Sequence, residues 1–167
     1  MTVTIRPAQP AEYPAIGALT IEAYRADGQL ASERGYARTL RDVAGRAQTG
    51  QVLVAVDGDK LLGSVTLVLS GSEYAQLARA GEAEFRMLAV DPAAQGRGVG
   101  EALVNACLDR AAARGCTAVV ICTRDLAKAA QRLYARMGFE RVPEKDWSPG
   151  PGVDLLALRY QLASRLW

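Results

Sequence analysis

Glu84 Phe85 Arg86 Met87 Leu88 Ala89 Val90 Asp91 Pro92 Ala93 Ala94 Gln95 Gly96 Arg97 Gly98 Val99 Gly100 is the stretch from which the fold of this chain is read. An apolar, strand-like run ends at Asp91 and Pro92, a short turn follows, and alternate glycines at 96, 98 and 100 open into an amphipathic helix. Backbone N–H groups in the first turn of a helix have no intrahelical partner, and the macrodipole adds partial positive charge there, so such an end suits a phosphate. Glycines remove the side chains that would keep a pyrophosphate off that backbone, and Arg97 adds a cation beside it. Met87 to Val90 can lend its backbone to an extended ligand in the manner of strand addition.

Two common nucleotide motifs fail here. A dinucleotide fingerprint G-x-G-x-x-G counted from Gly96 ends on Glu101, and a P-loop needs a lysine, yet none lies between Leu61 and Ala127. The pattern that fits is Q-x-x-G-x-G, carried by Gln95, Gly98 and Gly100 behind Leu88, Ala89, Val90, Asp91 and Pro92. It resembles the acetyl-CoA-binding motif of the GCN5-related N-acetyltransferase (GNAT) superfamily, and the resemblance extends more loosely over nearly the whole chain.

The 167 residues are expected to form a single domain, residues 1–167, which buries roughly 70% of its unfolded surface. Apolar runs fall far short of the ~20 residues that span a bilayer, and the N-terminus lacks a charged segment followed by an apolar core, so a cytoplasmic protein is expected. Histidine is absent and the three cysteines, at 107, 116 and 122, form no C-x-x-C, which argues against a zinc site. Cys107 and Cys122 fall on apolar faces and read as buried thiols. Net charge is only +2 and the basic residues are spread along the chain, a poor footprint for nucleic acid but adequate for an anionic cofactor.

Working outward, Thr2 to Arg6 alternates as a first strand, and Ala11 to Tyr24 has helical spacing. Ser32 reads as the N-cap of a helix over about Glu33 to Ala47, with Tyr36, Leu40 and Val43 on its buried side. Gln51 to Val56 and Lys60 to Leu69 form a hairpin around Asp57, Gly58 and Asp59. Ser70 to Gly81 is a loop, followed by a strand from Glu82 to Val90. Val99 to Arg114 is the helix after the glycines, closed by Gly115, and Thr117 to Thr123 is an apolar strand suited to a sheet interior. Strand, helix and strand from Glu82 to Thr123 imply a parallel pair. Leu126 to Met137 is another helix, and Val153 to Leu162 a last strand after the Pro and Gly rich link Ser148 to Gly152. With the resemblance, this gives an α/β fold: a mixed, mostly antiparallel central sheet with a splayed parallel strand pair, flanked by about four helices.

The resemblance implies that the pantetheine arm lies along Leu88, Ala89 and Val90, with the Leu88 backbone N–H polarising the acetyl carbonyl. The pyrophosphate is expected on the amides of Gly96, Arg97, Gly98, Val99, Gly100 and Glu101, capped by the side chains of Gln95 and Arg97. Amine acetylation needs a base, because an alkylammonium with a pKa of about 10.4 is mostly protonated at neutral pH. Glu84 matches the glutamate that serves in several relatives, often through water; by strand periodicity it shares a face with Arg86, Leu88 and Val90. The alternative for Glu84 is pairing with Arg86 or a neighbouring strand cation, and Glu82 is the reserve base. Tyr134, in Leu133 Tyr134 Ala135 Arg136 Met137 Gly138 Phe139, matches the tyrosine of the family's L-Y-x-x-x-G-F element and its role as general acid to the departing thiolate; the alternative is an ordinary buried aromatic.

One departure stands out: Ala127 occupies the place of a cofactor-contacting asparagine common in the family. Arg124 or Asp125 could stand in for it, against the simpler reading of a solvated loop pair. The acceptor is expected among Tyr24 to Gly35, Ser70 to Gly81 and Glu144 to Gly152, where Asp146 and Trp147 offer a carboxylate beside an aromatic for an ammonium, or else a loop anchored by Trp147. The function implied is acetyl-CoA-dependent transfer to a primary amine of a small molecule or peptide, with no metal. The alternative is a non-catalytic CoA-binding sensor or interaction module of the same fold; longer acyl donors form a third reading. Expected partners are acetyl-CoA and an amine acceptor, with a homodimer permitted and neither nucleic acid nor membrane involved.

Overall fold

The computed structural model describes residues 2–31 and 35–162. Its strands form one eight-stranded sheet in the order β1-β2-β3-β4-β5-β8-β6, with β7 paired to β8. The first half is antiparallel: β1 (Thr4–Pro7), β2 (Gly50–Asp57), β3 (Lys60–Leu69) and β4 (Glu82–Val90). In β2, Leu53 and Ala55 pack towards α4 (Val99–Ala113), whereas Val52, Val54 and Val56 join Ile16 of α1 (Tyr13–Ala26) and Val43 of α3 (Val43–Thr49). This period-two division buries both faces, so the sheet lies between α1 to α3 on one side and α4 with α5 (Lys128–Met137) on the other.

The single helix expected over Glu33 to Ala47 is two helices, α2 (Tyr36–Arg41) and α3, which raises the α-helices among the described residues to five. Asp42 takes φ −81° and ψ 68°, outside the helical region, and its carboxylate accepts the Gly45 N–H at 2.9 Å, capping α3. The buried Arg46 closes the joint by donating Nη1 to the Leu40 carbonyl at 2.9 Å, a cation at the C-terminal end of α2. Ser32, the expected N-cap, lies outside the described residues.

The parallel pair is β4 with β5 (Ala118–Arg124), and it is short: Glu82, Ala83 and Glu84 face Ala118, Val119 and Val120, after which the register ends while both strands continue. The sheet therefore opens into a wedge from Phe85 onward. β5 instead pairs along its whole length with β8 (Val153–Gln161), antiparallel.

A bulge in β4 accompanies the opening. Against β3, Thr66 faces Arg86 but Ser64 faces Ala89, so β4 spends one more residue than its partner between these pairs. Met87, at φ 59°, carries the distortion and turns into the cluster of Ile21 and Leu40. The expectation that Glu84, Arg86, Leu88 and Val90 share one face is corrected by this bulge. Glu84 and Arg86 face the α1 and α2 side, where Arg86 bonds the Tyr36 hydroxyl, whereas Leu88 and Val90 pack against the core that contains α4.

The Pro and Gly rich stretch is also more regular than expected. Trp147–Gly150 forms β7, pairing Trp147 with Leu155 and Gly150 with Val153 in a hairpin onto β8, and Glu140–Arg141 forms a short β6 on the same strand. Proline at 149 is tolerated because β7 lies at the margin of the sheet.

Candidate active site

The glycine loop has the geometry its sequence implies at two positions. Gly96 and Gly98 take φ 78° and 80°, a region that strains residues with a Cβ, and a Cβ at either would project into open space. Gly98 is the N-cap of α4 and offers no side-chain cap, leaving the first-turn amides to an outside acceptor. Gly100 serves differently: a Cβ there would lie 3.3 Å from Leu133 Cδ2, so its smallness lets α5 approach α4.

A cavity of about 360 Å³ lies over this loop, lined by Leu88, Ala89, Val90, Gln95, Gly96, Gly98, Val99, Gly100 and Glu101. All the residues expected to hold the cofactor are among its walls except Arg97, which is exposed on the loop outside them. Sequence reading missed the opposite wall, where α5 contributes Arg132, Leu133 and Arg136. The i, i+4 spacing of Arg132 and Arg136 was the available signal, since it puts both guanidiniums on one helix face. Arg136 stands 3.9 Å from Glu101. Unfilled amides, an open glycine cradle and two cations fit a pyrophosphate.

A second cavity, about 260 Å³, occupies the wedge between β4 and β5. Phe85, Arg86, Met87 and Leu88 line it from β4, Cys122, Thr123 and Arg124 from β5, and Tyr134 and Ala130 from α5. The two cavities share Tyr24, Asp27, Leu88 and Ala130, so a chain laid along β4 from the glycine loop enters the wedge at Leu88. Each stretch expected around the acceptor supplies part of the wall: Tyr24, Asp27 and Gln29 from the end of α1, Gln76 from the loop before β4, and Pro149 from β7.

Glu84 is fully buried and lines neither cavity. Its Oε1 accepts three backbone N–H groups of the preceding loop, from Gln76 at 2.9 Å, Leu77 at 2.8 Å and Ala78 at 3.0 Å, whereas Oε2 has no protein partner. Burial pushes its pKa above the ordinary value, against the opposing pull of these N–H bonds and of Arg86. Neither expected alternative, a bond to Arg86 or to a strand cation, describes it: this carboxylate anchors a loop. Glu82, the reserve, accepts the Arg79 N–H at 3.0 Å and pairs with Arg159.

Tyr134 is buried, with its ring 5.8 Å from Phe85 and 5.5 Å from Phe139 between centroids. Burial raises its pKa well above the ordinary phenol value, so it stays protonated at neutral pH. The same burial holds the Cys107 thiol protonated and pushes Cys122 up to about 11. Cys122 is only half-buried and lines the wedge, where its sulfur receives the Trp147 indole N–H at 3.4 Å.

Two further expectations are corrected, for Asp146 and Arg124, and for Trp147 the alternative reading of an anchored aromatic holds. Asp146 is not available to an ammonium, because its carboxylate pairs with Arg141 and accepts the Ala157 N–H at 2.7 Å. Trp147 is the anchored aromatic, tied to Cys122 and outside the walls of the wedge. Arg124 is not a solvated loop residue: it is 4% exposed, lines the wedge, and donates to the carbonyls of Gln29 at 3.1 Å and Gly152 at 3.3 Å, tying two of the acceptor walls together. Ala127 is buried at the start of α5, where Gln131 instead reaches back to the carbonyls of Arg124 and Asp125, both at 2.9 Å.

A model of the acetyltransferase (GNAT) family matches residues 16–139. An uncharacterised protein of Mycobacterium leprae is 37% identical over 92 residues, 52% of this chain and 25% of that protein, so the match spans about a quarter of the relative's length. Among solved structures, a GCN5-related N-acetyltransferase from Kribbella flavida is 27% identical with a TM-score of 0.70, over 95% of this chain and 97% of that one. A Salmonella typhimurium protein solved with its cofactor acetyl-CoA is 22% identical with a TM-score of 0.66, over 97% and 95% of the two chains, and shares the fold. No helix among the described residues is long and apolar enough to cross a membrane.

Proposed function

The chain belongs to the acetyltransferase (GNAT) family, and from that premise we propose that it is a cytoplasmic enzyme which moves an acetyl group from acetyl-CoA directly to a primary amine of a small molecule or peptide. The observation that carries this reading is the meeting of the two cavities at Leu88, where the β4 and β5 ladder has ended and the strands stand apart. A cradle for a pyrophosphate on one side and the wedge on the other make a path for a thioester and a separate place for its acceptor.

Acetyl-CoA supplies the activated acyl group. The amides at the start of α4, with Arg132 and Arg136 across the groove, hold the pyrophosphate. Leu88, Ala89 and Val90 align the arm, and the Leu88 N–H polarises the acetyl carbonyl. Tyr134, protonated at neutral pH, donates its phenolic proton towards the sulfur that departs. Glu84 receives the amine's proton at Oε2 through water, since it lines neither cavity. Acceptor and donor are bound together, and the wedge orients the reacting groups towards each other.

The experiment is acetyl-CoA turnover with a panel of amines, using Glu84→Gln and Tyr134→Phe. Each loss of acid or base help is expected to cost on the order of 10² to 10⁴ in rate; an established activity unchanged in both variants would remove the assigned roles. The three loop bonds on Glu84 Oε1 favour a second reading, a module that binds acetyl-CoA without turnover and uses Glu84 only as an anchor. Tight acetyl-CoA binding with no transfer to any amine or protein in a broad panel selects it.

A further inference from the structure

The wedge cavity is electrically polarised. Arg86 lines it, and the guanidinium's bonds go to neutral partners: Nη1 donates to the Tyr74 carbonyl at 3.2 Å and Nη2 to the Tyr36 hydroxyl at 3.0 Å. A guanidinium has about five N–H donors in a fixed fork, so donors remain after these bonds. Among the described residues, no carboxylate lies within ion-pair distance of Arg86. The two carboxylates on that face of β4 line neither cavity: Glu84 is turned to the loop amides, and Glu82 accepts the Arg79 N–H and pairs with Arg159.

The carboxylate that does line the wedge, among the described residues, is Asp27, and it stands at the junction with the cofactor groove. Arg86, Tyr36 and Gln76 line the wedge alone. The wedge thus offers a negative group where the thioester enters and two guanidiniums that line the wedge alone, Arg86 and the buried Arg124, which donates to the Gln29 and Gly152 carbonyls. An ammonium is drawn towards Asp27 and the thioester. A polycationic acceptor such as a polyamine must set its remaining charge against Arg86, at a Coulombic cost that grows in a partly buried site. An amine that carries its own anion meets complementary charge at both ends.

We infer that the acceptor is a small amine bearing an oxyanion, a carboxylate or a phosphate, and that Arg86, with Tyr36 beside it, holds that oxyanion. The inference rests on the transfer reading above and adds the class of substrate. The cavity of about 260 Å³ is smaller than the roughly 300–1,000 Å³ of sites that enclose drug-sized ligands, which suits an acceptor of amino-acid size. A planar fork on a carboxylate or phosphate gives both charge and geometric selection.

The test is acetyl-CoA-dependent thiol release by the full chain on matched acceptors: amino acids, their amides, their decarboxylated amines, and an amino alcohol beside its phosphate ester. The oxyanion-bearing member of a pair is expected to exceed its neutral partner in kcat/KM by at least about tenfold, which corresponds to ~1.4 kcal/mol; whether the carboxylate or phosphate arm leads identifies the source. Arg86→Gln is expected to bring that ratio to within about threefold of unity, and Arg86→Lys to leave it intermediate. Unchanged acetyl-CoA binding by calorimetry verifies that the variants are folded. Equal use of charged and neutral members, or a loss in Arg86→Gln that falls equally on both, overturns the inference and leaves transfer intact. If no member is acetylated, the same acceptors are titrated into the protein with CoA: Arg86-dependent binding of the oxyanion-bearing amines sustains the inference against the transfer reading, and its absence overturns both.

Discussion

Glu84 anchors a loop and is proposed as the base, and Glu84→Gln sets the two jobs apart. In the wild type one carboxylate oxygen accepts three loop amides at 2.8 to 3.0 Å in a fully buried place. A hydrogen bond to a charged acceptor contributes about 1.5–3 kcal/mol net, against about 1 for a neutral one. Three bonds on one oxygen are not additive, so weakening them together costs roughly 2 kcal/mol. Release of the buried charge offsets the weakened bonds, since burial outweighs them in raising the pKa, and the new amide N–H₂ at the Oε2 position, which has no protein partner there, adds about 1 kcal/mol. The net expectation is about 1 kcal/mol of destabilisation, a fall in Tm of roughly 2–4 °C for a chain of this size.

The pH dependence has a definite sign. Burial raises the folded-state pKa of Glu84, so the stability it contributes is fully present below the ordinary glutamate pKa and is lost as pH rises through the raised value. The gap in stability between wild type and Glu84→Gln should therefore narrow as pH rises. Two assays read the two jobs: hydrogen exchange at the amides of Gln76, Leu77 and Ala78, and acetyl-CoA turnover. Faster exchange is expected at those amides, together with a loss of 10² to 10⁴ in rate. Unchanged exchange would refute the anchoring role, and unchanged turnover would refute the base.

Other expectations are more local. Tyr134→Phe keeps the ring packing against Phe85 and Phe139, so its Tm should move by about 2 °C or less, while turnover falls and acetyl-CoA affinity measured by calorimetry holds. Gly98→Ala puts a Cβ at φ 80° in the open cradle; the strain of about 1–2 kcal/mol should appear as lost stability, the obstruction should weaken acetyl-CoA binding by about tenfold or more, and a normal Kd would contradict the cradle. In the acid limb, the guanidinium of Arg6 holds the Glu12 pKa down at about 2, with the Gln9 N–H assisting. That stability is present above the ordinary glutamate value and lost as pH falls towards about 2. Glu12→Gln should flatten the stability curve over that window, as read from denaturant midpoints at stepped pH.

The parts of this molecule that were legible in its sequence are those governed by neighbours along the chain. The strand to Val90, the turn at Asp91 and Pro92, and the helix from Val99 follow from periodicity, a side-chain cap and glycines, all of which act within a few residues. The continuous apolar run of β5 announced two covered faces for the same reason. What stayed hidden depends on partners remote in sequence. The Met87 bulge exists only by comparison with β3, since nothing between Arg86 and Ala89 advertises an extra residue. Asp42 looks like any polar position on a helix until its carboxylate turns to Gly45. The fate of Asp146 was set by Arg141 and the Ala157 amide, and that of Arg124 by carbonyls at positions 29 and 152. Pro149 and Gly150 read as a linker because turn residues are scored without the strand they will face.

The bulge changes what length variation β4 can absorb. In a regular strand, deleting one residue sends every later side chain to the opposite face. Here β4 already holds one residue more than β3 can match between Arg86 and Ala89, so loss of Met87 alone would restore an unbroken ladder and leave Leu88 and Val90 facing α4, with the glycine loop still in register. An insertion at the same point has no such escape. Among chains built on this plan, a shortened β4 is therefore a change the core can survive, at the expense of the bend that accompanies the parting of β4 from β5.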